Sequence, residues 1–401
     1  MPMPDATTRL YFEDAYRTEF DARIVARLEA DGRPAVVLDR TCFYPESGGQ
    51  PWDLGTLGGI PVVKVIEEGE AIVHLLEREV EGLEVRGRVD WDRRFDHMQQ
   101  HTGQHLLSHA FVEVLRGETR SFHLGAEESS LEVGLANASD ESLARVERRA
   151  NELIFENLEV KTYFVPPERI AEVPLRRPPK VEGTVRVVEV DGVEYSACGG
   201  THVRRTGEIG QVKILASERI RGNLRFVFVC GRRALAAFEL RNRVVRDLVG
   251  RFNVQAKDVP ASVEKLAAEF KDFKKSQKKT EEKLAGYEAA EYAVRAEGPV
   301  IAAVLDDRSP EAARALALSI VRRGAFAVCF GAKSSERGHL LLARSESLAV
   351  DLRTLVPLLA PLVQGKGGGG PSLVEIAGGR EADLQAAVAA ASSLLKERLV
   401  S

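Results

Sequence analysis

The chain has 401 residues, enough for two to four domains that each bury a core of their own. Its hydrophobic fraction of 44% suits a soluble globular protein, and 56 Lys and Arg against 60 Asp and Glu leave the charge close to balanced. That balance excludes a chain that is basic throughout, so a nucleic-acid partner would have to meet a local basic surface.

From about residue 8 to 90, short segments such as ARIVARLE, PAVVLD, PVVKVIEE and AIVHLLE alternate with Gly, Pro and Asp. This pattern predicts a small antiparallel barrel or sandwich, taken here as a β-barrel domain over 1–90. A turn-rich loop, Thr41–Asp53 (TCFYPESGGQPWD), interrupts it. At Trp91 the period becomes helical, and strand-like pieces (SFHLG, SSLEVGL), a helix from about Ser139 to Asn157 and further strands follow. Residues 91–231 therefore form an α+β domain. Residues 232–296 read as a helical spacer with a break at RFNVQAKDVPAS, and beyond Pro260 a heptad-like apolar seam suits a coiled-coil hairpin or a dimerising helix. Over 297–401 the pattern is βαβ-like, with a Gly-rich loop GKGGGGPS (365–372) and a terminal helix at about 380–399. This is a small α/β domain.

Cys42, Cys198, Cys230 and Cys329 are too widely spaced for a disulfide scaffold. The polar first residues do not read as a signal peptide, and no apolar run approaches the length of a membrane span. A cytoplasmic protein with reduced thiols and no membrane contact is expected.

Two residue pairs carry the chemistry. His101 and His105 stand at i and i+4 on a helix, so their imidazoles share one face. Far downstream, ACGGTHV holds Cys198 and His202, with two glycines that let the chain curl both toward one point. Three imidazoles and a thiolate match a tetrahedral zinc site. His97 and His109 extend the histidine stripe at the same spacing, and spacing alone does not rank them against the other two.

HTGQHLLSHAF together with SACGGTHV resembles the editing domain of alanyl-tRNA synthetases and of their free-standing relatives, the AlaX proteins. FYPESGGQPWDLG (43–55) is similar to the Gly-rich loop of that family, and GKGGGGPSLVEIAGG (365–379) resembles the DHHA1-type C-terminal domain of its long class. The resemblance implies zinc held by His101, His105, Cys198 and His202. It also implies a trans-editing hydrolase that deacylates mischarged tRNA(Ala), chiefly the seryl form, and leaves open whether the glycyl form is cleared as well. Thr41 matches the family threonine whose hydroxyl senses serine, and Gln50 matches the glutamine that closes the Gly-rich loop. Gly370 and Ser372 stand where the common synthetase motif has arginine and aspartate, a departure that bears on tRNA binding by this loop. The editing region begins at about residue 8, which leaves no room ahead of it for amino-acid activation, so the chain is expected to correct but not to charge.

A synthetase pocket discriminates weakly against an analogue that only adds a hydroxyl, so a second site must read that hydroxyl and hydrolyse the ester. Backbone N–H groups of Gly48 and Gly49 are candidates for the developing oxyanion. Arg93, Arg94, Arg219, Arg221 and Arg225 are candidates for the acceptor end of tRNA. Lys274 and Lys275, in the lysine run 271–283, are candidates for phosphate contact, although such a run also suits a solvated helix face. The spacer or the C-terminal domain could pair two chains. Three alternatives remain at this point. They are a zinc-stabilised RNA-binding module without catalysis, a zinc hydrolase for small esters, and editing of threonine's tRNA, against which CGGTH argues.

Overall fold

The computed structural model describes residues 6–179, 183–305, 308–333, 337–378 and 383–400. The chain divides between Asp247 and Leu248 into two compact units.

The first unit opens with a two-residue strand, β1 (Thr8–Arg9), and one helical turn, α1 (Leu10–Glu13). The strands β2 (Glu19–Ala30), β3 (Arg33–Leu38), β4 (Arg40–Thr41), β5 (Gly55–Leu57), β6 (Ile60–Glu68), β7 (Ala71–Leu76) and β8 (Glu84–Val89) follow. Antiparallel pairing runs β2-β3-β7-β6-β5-β8, and β8 returns to β2, so the sheet closes on itself and leaves no open edge. β4 lies outside this ring, parallel to β1. Along β2, Phe20, Ala22 and Ile24 alternate with exposed neighbours and face a core that contains Leu38, Phe43, Leu57 and Val65. Every residue of β7 is buried, His74 included.

Asp90 caps the long helix α2 (Trp91–Leu115) by accepting the Arg93 amide, and Arg116 ends it in the left-handed region. The helix is buried without a break from His97 to Ser108, so polar and apolar residues alike are enclosed and no solvent face develops. Around it stand β9 (Thr119–Leu124), β10 (Ser129–Val133), α3 (Asp140–Phe155), β11 (Val160–Val165), β12 (Val185–Val190), β13 (Glu194–Ala197), β14 (Val212–Ile220) and β15 (Asn223–Cys230). They form two sheets, ordered β14-β15-β10-β9 and β11-β12-β13. In β11 both Lys161 and Thr162 are exposed, which hides the strand from a period-two reading. The core joins Leu106, Leu107 and Phe111 of α2 to Leu153 of α3 and to Phe226 and Phe228 of β15. Helix α4 (Gly231–Phe252) follows directly on β15.

In the second unit, a short turn at Ala256–Asp258 precedes α5 (Val259–Arg295). Val263, Leu266, Phe270, Phe273, Leu284 and Tyr287 lie exposed along α5 at heptad-like intervals. The rest comprises β16 (Val300–Leu305), α6 (Pro310–Val321), β17 (Ala327–Lys333), β18 (Gly338–Arg344), α7 (Val356–Leu359), β19 (Lys366–Gly370), β20 (Leu373–Ala377) and α8 (Leu384–Val400). β16 and β17 are parallel across α6, and the other neighbours are antiparallel. The expected Gly-rich loop is instead the exposed edge strand β19. A Cβ at Gly367 would lie 2.3 Å from the Glu375 carbonyl oxygen, so only glycine lets β19 approach β20 this closely. Gly370 ends this strand, and the Ser372 carbonyl accepts the Arg344 amide at 2.9 Å. Gly379 and the expected start of the terminal helix at 380 lie outside the described residues. Among the described residues no helix is long and apolar enough to cross a membrane.

Candidate metal centre

Helix α2 carries His101 and His105 one turn apart, and the loop that leaves β13 brings Cys198 and His202 to the same point. One ligand atom from each of the four lies within 4.8 Å of all the others. Cys198 Sγ is 3.3 Å from His101 Nε2 and 3.4 Å from His202 Nε2. A tetrahedral zinc ion with ordinary bond lengths would set sulfur and nitrogen about 3.5 Å apart, so the donor set and its spacing fit that ion. A Cβ on Gly200 would stand 2.2 Å from His101 Cε1, which explains a glycine there in physical terms. His97 and His109 are not part of the cluster. Burial, then the charges of Arg93 and Arg233, push the His97 pKa down to about 3, while His109 faces Glu113 at 3.2 Å.

Each ligand histidine has a neighbour at its far nitrogen. His101 Nδ1 donates to Gln50 Oε1 at 2.8 Å, which leaves Nε2 with its lone pair directed at the cluster. Thr201 sets the Gln50 amide, because its N–H donates to Oε1 (3.2 Å) and its Oγ1 accepts from Nε2 (2.9 Å). His202 Nδ1 lies 3.1 Å from Thr102 Oγ1. His105 Nδ1 is 3.7 Å from Glu194 Oε1, an ion-pair distance rather than a hydrogen bond. Glu194 is itself held by Arg176 (2.8 Å) and Ser196 (2.6 Å).

The electrostatics favour a thiolate. Burial alone would raise the Cys198 thiol, but the imidazoles of His101 and His202 outweigh it and hold it well below its ordinary value. Burial, then the neighbouring His101 imidazole, pushes His202 down to about 3. For His105 burial also acts downward, yet Cys198 and Glu194 prevail and raise it to about 9. Burial would raise Glu194, and His105, His109 and Arg176 together depress it instead.

Beside the cluster opens a cleft of about 930 Å³, whose lining includes Cys198, His105, Gly48, Gly49 and Phe122. Its lining sets five arginines, Arg9, Arg120, Arg176, Arg177 and Arg186, against Glu67 and Glu70. Arg9 is paired to Glu67 at 2.6 Å and Arg176 to Glu194 at 2.8 Å, so cations remain in excess. Arg186 is almost fully buried and donates from Nη1 to the carbonyls of Cys198 and Gly200, each at 2.9 Å, so it holds the ligand loop by its backbone. The Gly-rich loop reaches the cleft through a tight turn in which Gly48 (φ 57°) and Gly49 (φ 84°) are left-handed. A Ser47–Gln50 bridge closes that turn and does not use the amides of Gly48 and Gly49.

Two expectations need correction. Arg94 has no exposed surface. It forks onto the Asp53 carboxylate and donates to the Ala15 and Cys42 carbonyls, so it clamps the Gly-rich loop and cannot meet RNA. Thr41 is equally enclosed and does not line the cleft. His74 Nδ1 donates to the Val36 carbonyl at 3.3 Å, which leaves Nε2 to accept the Thr41 hydroxyl at 2.8 Å, while Thr41 Oγ1 accepts the Phe43 amide at 3.0 Å.

The other arginine candidates lie away from the cleft lining. Arg93 is half-buried and donates to the Trp52 carbonyl. Arg219, Arg221 and Arg225 belong to the β14–β15 hairpin, where Arg219 bonds Asn137 and Arg225 pairs with Glu218. Lys274 and Lys275 are exposed on α5, and Lys274 covers the Phe270 ring. Of the residues that now frame the site, Thr102 stands inside the HTGQH run. Glu194, Arg176 and Arg186 sit on or beside strands and carry no spacing signal.

Two family models match. The one described as "tRNA synthetases class II (A)" covers residues 7–93, and "Threonyl and Alanyl tRNA synthetase second additional domain" covers 185–228. The chain is 30% identical to the alanyl-tRNA editing protein AlaX-L of Pyrococcus horikoshii, across 91% of this chain and 93% of that protein. It is 34% identical to the alanyl-tRNA editing protein Aarsd1 of Danio rerio, across 66% of this chain and 68% of that one. Identity to the alanine–tRNA ligase of Pyrococcus abyssi is 31%, across 98% of this chain and 44% of the ligase. The chain spans less than half the length of the alanine–tRNA ligases it matches.

Proposed function

The chain belongs to the alanyl-tRNA editing protein family, and from that premise we propose that it hydrolyses the ester of mischarged tRNA(Ala), the seryl form above all and the glycyl form beside it. The observation that carries this reading is the four-ligand cluster opening onto a basic cleft. His101, His105, Cys198 and His202 would hold zinc, which supplies positive charge to orient the amino-acid ester and polarise its carbonyl.

The chain's own groups do the rest. Arg120 and Arg177 draw the phosphates of the acceptor end into the cleft. Gly48 and Gly49 turn backbone N–H groups toward the oxyanion that forms as water adds to the ester carbon. The bond to the terminal ribose then breaks and releases free serine and an intact 3′ end. Chemistry linked to translation places the protein in the cytoplasm. The exposed seam of α5 supports pairing of two chains, which sedimentation would read as twice the chain mass.

The test is deacylation of seryl-tRNA(Ala), alanyl-tRNA(Ala) and threonyl-tRNA(Thr) by the intact protein and by Cys198→Ala. Loss of serine first, abolished by the substitution, is expected. A zinc-loaded, folded protein that hydrolyses none of them would leave an RNA-binding module in place of an enzyme.

A further inference from the structure

The cleft carries an aromatic ring that the fold does not use. Phe164 stands on β11, where Tyr163 and Val165 pack with Val185 and Val187 in an apolar cluster on one face of the sheet. Alternation turns Phe164 to the other face, where it lines the cleft and stays 54% exposed. Its ring meets that of Phe12 at 5.8 Å with the planes at 74°, an edge contact that steadies the ring without covering it. Phe12 is already engaged by the guanidiniums of Arg9 and Arg186, at 5.7 and 5.0 Å, so Phe164 is the one of the pair left open. Register sets Phe164 opposite Arg186 across β11 and β12, and Arg186 grips the carbonyls of Cys198 and Gly200. The open ring therefore stands one side chain away from the ligand loop, much as a ribose stands between an ester on its hydroxyl and its own base. A lone apolar side chain on a surface needs no explanation, but this one shares a cleft with an excess of arginines. Cations for a phosphate backbone beside an open aromatic face are the make-up of a site for single-stranded nucleic acid.

We propose that Phe164 is the platform on which the base of the terminal adenosine stacks when the acceptor end enters the cleft. The inference rests on the editing reading above. Arg120 and Arg177 meet the phosphates, and the base exchanges its stack on the RNA for the Phe164 ring, which holds the ribose and its ester beside the ligand cluster. Stacking is indifferent to the amino acid, so it adds affinity for the RNA and nothing to the choice between serine and alanine.

The test measures binding of two uncharged forms of tRNA(Ala) to the unaltered protein, Phe164→Ala and Phe164→Trp. One form is intact, and the other keeps the phosphate and ribose of its terminal nucleotide but lacks the base. The unaltered protein is expected to bind the intact form about fivefold to a hundredfold more tightly, the worth of one stacked base. Alanine should abolish that preference and tryptophan should keep it. No preference in the unaltered protein, a preference that survives alanine, or one that tryptophan loses would each overturn the proposal. Deacylation of seryl-tRNA(Ala) is followed in parallel. If serine is cleared and one of those results appears, the editing reading stands without Phe164. If no serine is released, the editing reading fails on its own account, and the binding comparison still decides Phe164.

Discussion

His74 ties the stability of the closed sheet to pH in a way that can be measured. Its ring has no exposed surface, donates from Nδ1 to Val36 and accepts from Thr41 at Nε2, an arrangement that only the neutral imidazole satisfies. Burial pushes its pKa down from 6.5 to about 4. A base depressed in the folded state contributes stability that is complete above its unfolded value of 6.5 and is lost as pH falls toward 4. At about 1.4 kcal/mol per decade the full loss is about 3 kcal/mol, of which about 2 kcal/mol has gone by pH 5. The assay is urea unfolding at pH 7.5 and pH 5.0 of the unaltered protein and of His74→Gln. Tryptophan fluorescence reads the first unit alone, because Trp52 and Trp91 both lie there. Other histidines titrate equally in both proteins, so the difference between them isolates position 74. The unaltered protein should lose about 2 kcal/mol more than the variant between the two pH values, and equal losses would refute the assignment of a neutral, buried His74.

The clamp on the Gly-rich loop should be equally visible. Arg94→Met strands the buried Asp53 carboxylate and is expected to cost about 3–5 kcal/mol in the same unfolding assay, and a cost below about 1 kcal/mol would contradict the burial of that pair. Gln50→Leu removes the acceptor from His101 Nδ1 and should weaken zinc binding about tenfold to a hundredfold in a chelator competition. Unchanged affinity there would mean that the ring needs no outside partner to stay in register.

How much of this was legible in the sequence depended on whether a residue's role is local. HxxxH on a helix and CxxxH across two glycines are local constraints, and their four residues are the ones the structure gathers. The roles of Arg94 and Thr41 are not local. Arg93 and Arg94 are adjacent in sequence, yet one helical step turns the second into the protein to meet Asp53, and nothing in RRFDH says which of the two will be buried. Thr41 is committed by a histidine that sits among apolar neighbours in AIVHLL, on a strand paired with β3, so the sequence separates two groups that the closed sheet joins. The glycines of 367–370 read as a loop because glycine is common in turns, although here they allow one strand to lie against another. β11 escaped notice because consecutive exposed residues broke its alternation.

The two buried guanidiniums divide the labour of the site. Arg94 joins the backbone at Ala15 and Cys42 and has the Asp53 carboxylate to balance its charge, so it stiffens the Gly-rich loop without altering the field of the cleft. Arg186 grips the ligand loop in the same manner, but among the described residues no carboxylate pairs with it. It lies over the Phe12 ring at 5.0 Å, and its Nε has no acceptor. Burial accordingly lowers its pKa, opposed chiefly by the charge of Cys198. A divalent ion held by the four ligands would take up the charge of that thiolate, and Arg186 would then keep the floor of the cleft cationic. That field favours a negatively charged occupant and a carbonyl on its way to an oxyanion, and it disfavours a small cationic ester arriving alone. Under the proposed editing reading, this field would favour an amino-acid ester carried on a polyanion over the same ester free in solution.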